Sequence, residues 1–241
     1  MIEKTRGIVL HQIKYSDSAF VVQLYTREFG RLSFFVKGVR NKKTGKQSVF
    51  FQPFFILDLV IYYKESREMQ SLKELTVSFP STGIQSDIKK TTVALFLAEV
   101  LINVLIEETP NKELYDFLEE SITYFDRSEE GFANFHIAFL SGLSSYLGFE
   151  PALRSGIKDK YFDMLNGEFL PFPPAHGHYT EPEISDIMAA FFSSSYDKIK
   201  EIPLSGTMRN KVLETIIGFY SLHLPGLRKI KSLDVLKEVF S

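Results

Sequence analysis

The sequence predicts an α+β protein in which a small N-terminal β-barrel is followed by an all-helical C-terminal domain with a short irregular insertion. Apolar residues alternate with a period of two through the first 80 residues, and the period changes to about 3.6 after residues 79–83, FPSTG. The helical period fails at residues 150–179, where Asn166-Gly167 is typical of a hairpin turn. We therefore expect a barrel domain at residues 1–80 and a helical domain at residues 81–241.

Five strands are predicted in the first domain. Three show clear alternation: AFVVQLYT at 19–26, RLSFFVKG at 31–38 and ILDLVIYY at 56–63. RGIVLHQI at 6–13 is apolar and β-branched enough for a first strand, and LKELTVSF at 72–79 supplies a fifth. Gly30 occupies the turn between the second and third strands. So many strands in a short segment favour a closed or partly open barrel, of which the OB-fold is the commonest nucleic-acid-binding version.

Five helices are predicted in the second domain. They cover residues 88–107, 113–125, 132–149 with Gly148 as C-terminal cap, a segment after residue 180, and about 207–224. Thr180 and Glu183 predict a capping box at the start of the fourth helix. The most apolar stretch, residues 93–106, is too short to span a bilayer, so we expect a core helix and no membrane association.

Charge is divided unevenly between the two domains. Residues 1–80 contain 13 Lys and Arg against 7 Asp and Glu, whereas residues 81–241 contain 15 against 23. A basic module attached to an acidic body makes a surface for polyanions plausible. The chain has no cysteine, which excludes disulfides and thiolate catalysis and fits a reducing compartment. The N-terminus lacks the pattern of a signal peptide, so we expect a cytoplasmic protein.

Residues for catalysis or for a cofactor are not apparent. The sequence has neither a G-x-G-x-x-G motif nor a Walker-type phosphate loop, and its acidic pairs fit the polar faces of helices. His176 and His178 could ligate a metal only if other ligands converged on them, and a solvated loop is the favoured interpretation. We expect no enzyme activity, no cofactor and no metal.

The segment KGVRNKKTGK at residues 37–46, called the basic segment below, is the candidate binding element. It holds five basic residues in ten, and no acid occurs from residue 29 to residue 57. Phe35 and Lys37 share a strand face, which favours base stacking beside a phosphate contact. A solvated loop, with Phe35 packed under the helical domain, is the alternative. The predicted phosphate contacts are Arg31, Lys37, Arg40, Lys42, Lys43 and Lys46.

A second group of cations lies near the C-terminus. Glu214 is the only acid between residues 209 and 233. Positive charge is favourable at this position, because it stabilises the end of the last long helix and solvates the loop after it. The group consists of Arg209, Lys211, Arg228, Lys229 and Lys231.

Residues 6–40, RGIVLHQIKYSDSAFVVQLYTREFGRLSFFVKGVR, resemble the N-terminal signature of the bacterial RecO family of recombination mediators. The resemblance continues in LFLAEVLINVL at 95–105, in YLGFEP at 146–151 and in SLHLPGLRKIKSLDVLKEV at 221–239. It implies an OB-fold followed by a helical domain. It also implies binding of single- and double-stranded DNA, annealing of complementary strands, and recombinase loading with the partner RecR.

The resemblance further implies contact with the acidic C-terminal tail of single-stranded-DNA-binding protein, for which the C-terminal cations are candidates. One departure concerns metal. Many family members carry a four-cysteine zinc site after the segment matching LGFEP, whereas this chain has no cysteine there. A protein-interaction adaptor or an OB-fold RNA binder that uses the basic segment remains the alternative function.

Overall fold

The structure, a computed structural model, describes residues 1–16, 19–37, 47–106, 109–154, 156 and 158–240. The chain forms two compact units, Met1–Arg127 and Ser128–Ser241. Within the described ranges, no helix is long and apolar enough to cross a membrane.

The first unit contains a closed five-stranded barrel. Its strands are β1 (Ile2–Ser16), β2 (Ala19–Thr26), β3 (Gly30–Lys37), β4 (Ile56–Tyr62) and β5 (Met69–Phe79). The order around the barrel is β1-β2-β3-β5-β4. Every neighbouring pair is antiparallel except β3–β5, which is parallel and has only two register pairs, Ser33 with Met69 and Phe34 with Gln70. This barrel confirms the predicted OB-type N-terminal fold.

Gly7 lies where β1 pairs with two neighbouring strands at once. It is paired with Thr26 of β2 and with Leu57 of β4. A Cβ atom at this position would lie 3.1 Å from the side chains of Leu24 and Leu59. The close approach of the strands therefore favours glycine here.

Alternating side chains of the strands fill the barrel. In β3, Leu32, Phe34 and Val36 are buried, while the residues between them are only partly covered. Phe51, from the 3-10 turn Gln47–Phe51, is fully buried in the same core. Complete burial of one such side chain contributes about 1.5–3 kcal/mol. The core consists of Val9, Val22, Leu24, Leu32, Phe34, Val36, Phe51, Phe55, Leu57, Leu59 and Ile61.

Three helices complete the first unit: α1 (Thr82–Ser86), α2 (Ile88–Val104) and α3 (Lys112–Arg127). Asp87 caps α2 by accepting hydrogen bonds from the backbone N–H groups of Lys89 and Lys90. The predicted extension of this helix to residue 107 is wrong, because Leu105 leaves helical geometry with ψ of 65°.

Ion pairs fasten α3 to the outside of the barrel. Arg6 of β1 contacts Asp58 at 3.0 Å and Glu119 at 2.8 Å. Arg27, after β2, donates two hydrogen bonds to Asp116, at 2.9 and 3.0 Å. Secondary structure thus changes near residue 80, but α1–α3 belong to the same compact unit as the barrel. The boundary between residues 80 and 81 stays a prediction.

The second unit is mainly helical. Its elements are α4 (Phe135–Tyr146), β6 (Tyr161–Asp163), β7 (Glu168–Leu170), β8 (Tyr179–Thr180), α5 (Pro182–Ser193), α6 (Gly206–His223) and α7 (Ser232–Val239). The predicted glycine cap of α4 is confirmed. Gly148 has φ of +84°, its N–H donates to the Ser145 carbonyl, and the Phe149 N–H donates to the Ser144 carbonyl.

The irregular insertion contains a three-stranded sheet in the order β7-β6-β8. The predicted hairpin at Asn166-Gly167 joins β6 to β7, and Gly167 has φ of +68°. The predicted capping box is wrong. Thr180 lies in β8, and the N-cap of α5 is Glu181, which makes no side-chain capping bond. Pro182 still occupies the first helical position, where its missing N–H costs nothing.

Candidate nucleic-acid interface

The basic segment leaves the barrel where β1, β2 and β3 come together. Lys37, the last residue of β3, is paired with Ala19 of β2, and Ala19 is paired with Ser16 of β1. Lys37 is exposed. The four predicted phosphate contacts farther along the segment, Arg40, Lys42, Lys43 and Lys46, lie outside the described residues.

An aromatic pair lies beside Lys37 on the outer face of the barrel. Phe35 is partly covered and alternates with the buried Phe34 and Val36, as the sequence predicts. The ring of Phe35 contacts that of Tyr15 with their centroids 5.4 Å apart and their planes at 83°. Tyr15 is 70% exposed. Phe35, with the accessible ring of Tyr15 against it, therefore lies two residues along β3 from an exposed cation, a combination that single-strand-binding surfaces use.

Apolar side chains extend this surface across three strands. Ile13 is opposite Val21, and Val21 is opposite Phe35, so the three residues form one row on the outer face. Ile13 is 50% exposed. We call Ile13, Tyr15, Val21, Phe35 and Lys37 the outer-face patch. A nucleobase, which is flat and largely apolar on its faces, suits such a surface.

The structure does not place Arg31 with Lys37. Lys37 lies six positions after Arg31 in β3, which corresponds to about 20 Å along a strand. The guanidinium of Arg31 donates to the backbone carbonyls of Ile102 and Leu105, at 2.8 and 3.1 Å. A cation at this position interacts favourably with the C-terminal end of a helix. Arg31 is therefore engaged in packing α2 against the barrel.

Carboxylates gather at the end of the barrel that bears Arg31. A cleft of about 580 Å³ there is lined by Glu28, Glu65 and Glu68 together with Arg31 and Arg67. The turn after β2 and the turn after β4 both contribute to it. Three carboxylates and two guanidinium groups line this cleft, so it does not favour phosphates.

The C-terminal cations differ in burial and in hydrogen bonding. Arg209 donates to the Asn134 side chain at 2.8 Å and to the carbonyls of Leu204 and Phe240 at 2.9 and 3.3 Å. Its burial lowers the pKa of its guanidinium. Arg209 therefore links the start of α6 to the end of α7. The other four, Lys211, Arg228, Lys229 and Lys231, are exposed.

Three of these exposed cations share the short connection between α6 and α7. Ile230 is 4% exposed and anchors this connection in the core of the second unit. Its neighbours Lys229 and Lys231 consequently point away from that core. Asp234 of α7 is the acid nearest in sequence to these cations, and Glu214 forms an ion pair with Lys237 of α7. The exposed positive charge of the connection is thus not offset by Glu214.

The histidine pair belongs to a hydrogen-bonded turn. Asp163, whose side chain is 1% exposed, contacts Nε2 of His176 at 3.2 Å. Burial alone would raise the pKa of Asp163, but hydrogen bonds from the side chain and backbone of Asn166 and from the backbone of Leu165 hold that pKa below its ordinary value.

A zinc ion does not fit this turn. A structural zinc site takes four ligands, and in the part of the chain that the structure describes no group of three or more His, Cys, Asp or Glu could hold a metal ion. The oxygens of Asp163 already accept hydrogen bonds from three N–H groups. The zinc site that the resemblance implies for many family members is therefore not supported by these residues.

Known proteins match the chain along its full length. Family models described as "Recombination protein O N terminal" and "Recombination protein O C terminal" match residues 1–80 and 85–234. Proteins named "DNA repair protein RecO" from Bacteroides fragilis and Phocaeicola vulgatus are 39% and 37% identical to it over 241 residues, covering 100% of each chain. The chain belongs to the RecO family of DNA repair proteins.

Membership in the RecO family confirms the resemblance found in the sequence. A relative from Porphyromonas gingivalis, also named "DNA repair protein RecO", is 34% identical with both chains fully covered. The family is named for DNA repair and recombination, not for a catalysed reaction. The closed barrel followed by helices agrees with the architecture that the resemblance implies.

Proposed function

We propose that the chain is a non-enzymatic recombination mediator that acts in the cytoplasm. It binds single- and double-stranded DNA, anneals complementary strands, and helps to load a recombinase together with a RecR partner. The observation that carries this proposal is the outer-face patch, where an accessible aromatic pair lies beside Lys37 at the start of the basic segment. Membership in a DNA repair family supports the same conclusion.

Phosphates contact the cations, and bases lie against the aromatic rings. The cations of the basic segment, Lys37, Arg40, Lys42, Lys43 and Lys46, make these phosphate contacts, and Phe35 supports stacking. Arg31 would have to exchange its hydrogen bonds to the α2 carbonyls for a phosphate, so we place it outside the main contact set. Neither kind of contact selects a base, so binding is expected to be neutral to sequence.

A salt titration tests the proposal. If about five cations meet phosphates, log affinity for a single strand should fall with log salt at a slope of about −3 to −4. A variant with Arg40→Glu, Lys42→Glu and Lys43→Glu should bind more weakly and show a flatter slope. A variant with Arg228→Ala, Lys229→Ala and Lys231→Ala, which removes three exposed cations in the C-terminal unit, should keep the wild-type slope.

The same titration separates the alternatives. Unchanged DNA affinity and slope in the triple glutamate variant would contradict the assigned site. Preference for RNA of the same length and composition would favour the RNA-binding alternative. Strong binding of an acidic peptide by the basic segment, without DNA binding, would favour the adaptor. Annealing is measured separately, as the rate at which complementary strands pair, which should increase with the protein and fall in the glutamate variant.

Partner binding is the second part of the proposal. The exposed cations Arg228, Lys229 and Lys231 contact the acidic tail of single-stranded-DNA-binding protein, which helps bring the mediator to covered strands. The tail peptide should bind the wild type more tightly than the variant in which these three residues are alanine. Equal binding by both proteins, with the fold intact, would contradict this site. The triple glutamate variant, which alters only the basic segment, is the control.

A further inference from the structure

Tyr15 is an exposed aromatic residue whose position the barrel core does not explain. It lies on the outer face near the end of β1, and 70% of its surface is accessible. The barrel core is filled by other side chains of β1, β2, β3 and β4. The described contact of the Tyr15 ring is with Phe35, edge to face. Its burial therefore contributes little to folding, and most of the ring is available to a ligand.

The two rings form the walls of a corner. Their planes are nearly perpendicular, at 83°, with 5.4 Å between centroids. Phe35 is paired with Val21 of β2, whereas Tyr15 lies at the register shift between Lys14 and Ser16 of β1. A flat ring placed against the accessible face of Tyr15 would lie beside Phe35, on the outer face that also bears the exposed Lys37. The pair offers a bounded site for one base.

We propose that Tyr15 is the principal base-stacking residue and that Phe35 acts mainly as its support. The ligand is an unpaired base of single-stranded nucleic acid, so the inference rests on the proposed function and specifies what the outer-face patch binds. Base pairs of a duplex are stacked on one another, and their faces are not open to a protein ring. Tyr15 thus favours single strands, whereas the basic segment binds any phosphate backbone.

Substitution of Tyr15 tests the inference. Stacking of one base on an aromatic ring is worth enough that Tyr15→Ala should weaken binding of labelled oligothymidylate by about 5- to 100-fold. Tyr15→Phe keeps the ring and should bind within about twofold of the wild type. Tyr62, which is 46% exposed and paired with Ile2 at the far end of β1, supplies the matched control Tyr62→Ala. That variant should behave as the wild type does.

Two further probes separate stacking from charge. An abasic oligonucleotide keeps the phosphates but has no bases, so the wild type and Tyr15→Ala should bind it equally. Duplex DNA should also bind both proteins equally. The slope of log affinity against log salt should be the same for both, because no cation is removed. Thermal unfolding of each variant, followed by circular dichroism, verifies that it is folded.

The outcomes distinguish this inference from the proposed function. Wild-type affinity of Tyr15→Ala for oligothymidylate, or an equal loss on the abasic strand, would overturn the role of Tyr15 and leave DNA binding by the basic segment intact. Absence of salt-dependent binding of any DNA by the wild type would overturn both. A selective loss on strands that carry bases supports the inference.

Discussion

Two residues show how the barrel meets its first helix. Phe54 and Ser81 have φ of 70° and 44°, in the left-handed region that residues with a side chain rarely adopt. Both are fully buried, and the Ser81 hydroxyl donates to the Phe54 carbonyl at 2.6 Å. The contact therefore stabilises two strained conformations, one before β4 and one after β5.

Loss of this hydrogen bond should destabilise the protein. Ser81→Ala leaves the buried Phe54 carbonyl without the hydroxyl and keeps the strain, so we expect a loss of about 1–3 kcal/mol in free energy of unfolding. Ser81→Gly loses the same bond but relieves backbone strain of roughly 1–2 kcal/mol, so its stability should lie nearer to the wild type. Urea unfolding measures both. A glycine variant less stable than the alanine variant would contradict the strain at this site.

His136 makes the stability of the protein depend on pH. Burial, followed by the charge of Arg209, lowers its pKa to about 3. In the unfolded chain the pKa of histidine is about 6.5, so between these values only the unfolded state binds the proton. The contribution of His136 to stability is therefore fully present above about pH 6.5 and is lost as the pH decreases toward 3.

Substitution of His136 should remove this contribution. Between pH 7 and pH 5 it amounts to about 2 kcal/mol, so His136→Gln should lose less stability over that interval than the wild type does. Urea unfolding at the two pH values measures the difference. The control is His11→Gln, because His11 is exposed on β1. An identical pH dependence in wild type and His136→Gln would show that other groups are responsible.

For single residues, the sequence predicted which face of a strand a side chain occupies better than it predicted the contacts that the side chain makes. The alternation in β3 correctly placed Phe35 and Lys37 outside the barrel, because burial follows the strand period. The sequence did not single out Tyr15, although it follows Ile13 at the same period of two, since its contact with Phe35 depends on the register of three strands. Likewise, nothing in the neighbouring sequence shows that the guanidinium of Arg31 donates to a carbonyl of α2.

Among the elements, α1 depends on a glycine in close contact with α3. A Cβ atom on Gly83 would lie 2.2 Å from the backbone carbonyl oxygen of Asp126. The Asp126 carboxylate accepts a hydrogen bond from the Ile84 N–H at 2.7 Å, which satisfies the start of α1. Both contacts require the two helices to keep their present separation.

Gly83→Ala should force these helices apart. Overpacking of this kind costs about 1–3 kcal/mol, and the atom that blocks the new methyl group belongs to the backbone, which cannot rotate away. Gly218→Ala in α6 is the matched control, since a Cβ there meets nothing within 4 Å. That substitution should be neutral or stabilising by up to about 1 kcal/mol. Similar melting temperatures for the two variants would contradict the predicted clash.

Secondary structure was predictable where the hydrophobic period extended over many residues and a glycine marked the end of the element. The glycine cap at Gly148 and the hairpin glycine at Gly167 both follow from the need for positive φ. The end of α2 was not predictable, because apolar residues continue past Val104 while the backbone turns. The capping box failed because Thr180 is taken up by β8, whose pairing with Phe162 is a long-range contact.

At the scale of the whole molecule, hydrogen bonds hold the irregular insertion of the second unit in place. The insertion of the second unit depends on hydrogen bonds to Asp163 and on the contact of His223 Nε2 with the Met164 carbonyl at 2.9 Å. Neither requires a metal. The absence of cysteine excluded the four-cysteine site and Asn166-Gly167 predicted the hairpin, but the hydrogen bonds to Asp163 could only be found in the structure.

Metal content should therefore not affect the stability of the purified protein. We expect no stoichiometric zinc by elemental analysis and an unchanged melting temperature after incubation with a chelator. Asp163→Ala, which removes the acceptor for Leu165 and Asn166, should by contrast lower the melting temperature. One tightly held zinc per chain, or a chelator-dependent melting temperature, would contradict this account.

The short parallel pairing of β3 with β5 is the place where the barrel should open locally. Only two register pairs close the cylinder there, and they join residues 36 positions apart in sequence. Because two register pairs hold this seam and eight hold β1 to β2, we expect the seam to open first. We expect backbone amides along this seam to exchange with solvent faster than those between β1 and β2. An opened seam exposes two strand edges, each able to recruit a second chain, so conditions that loosen the barrel should promote aggregation before they melt the helices.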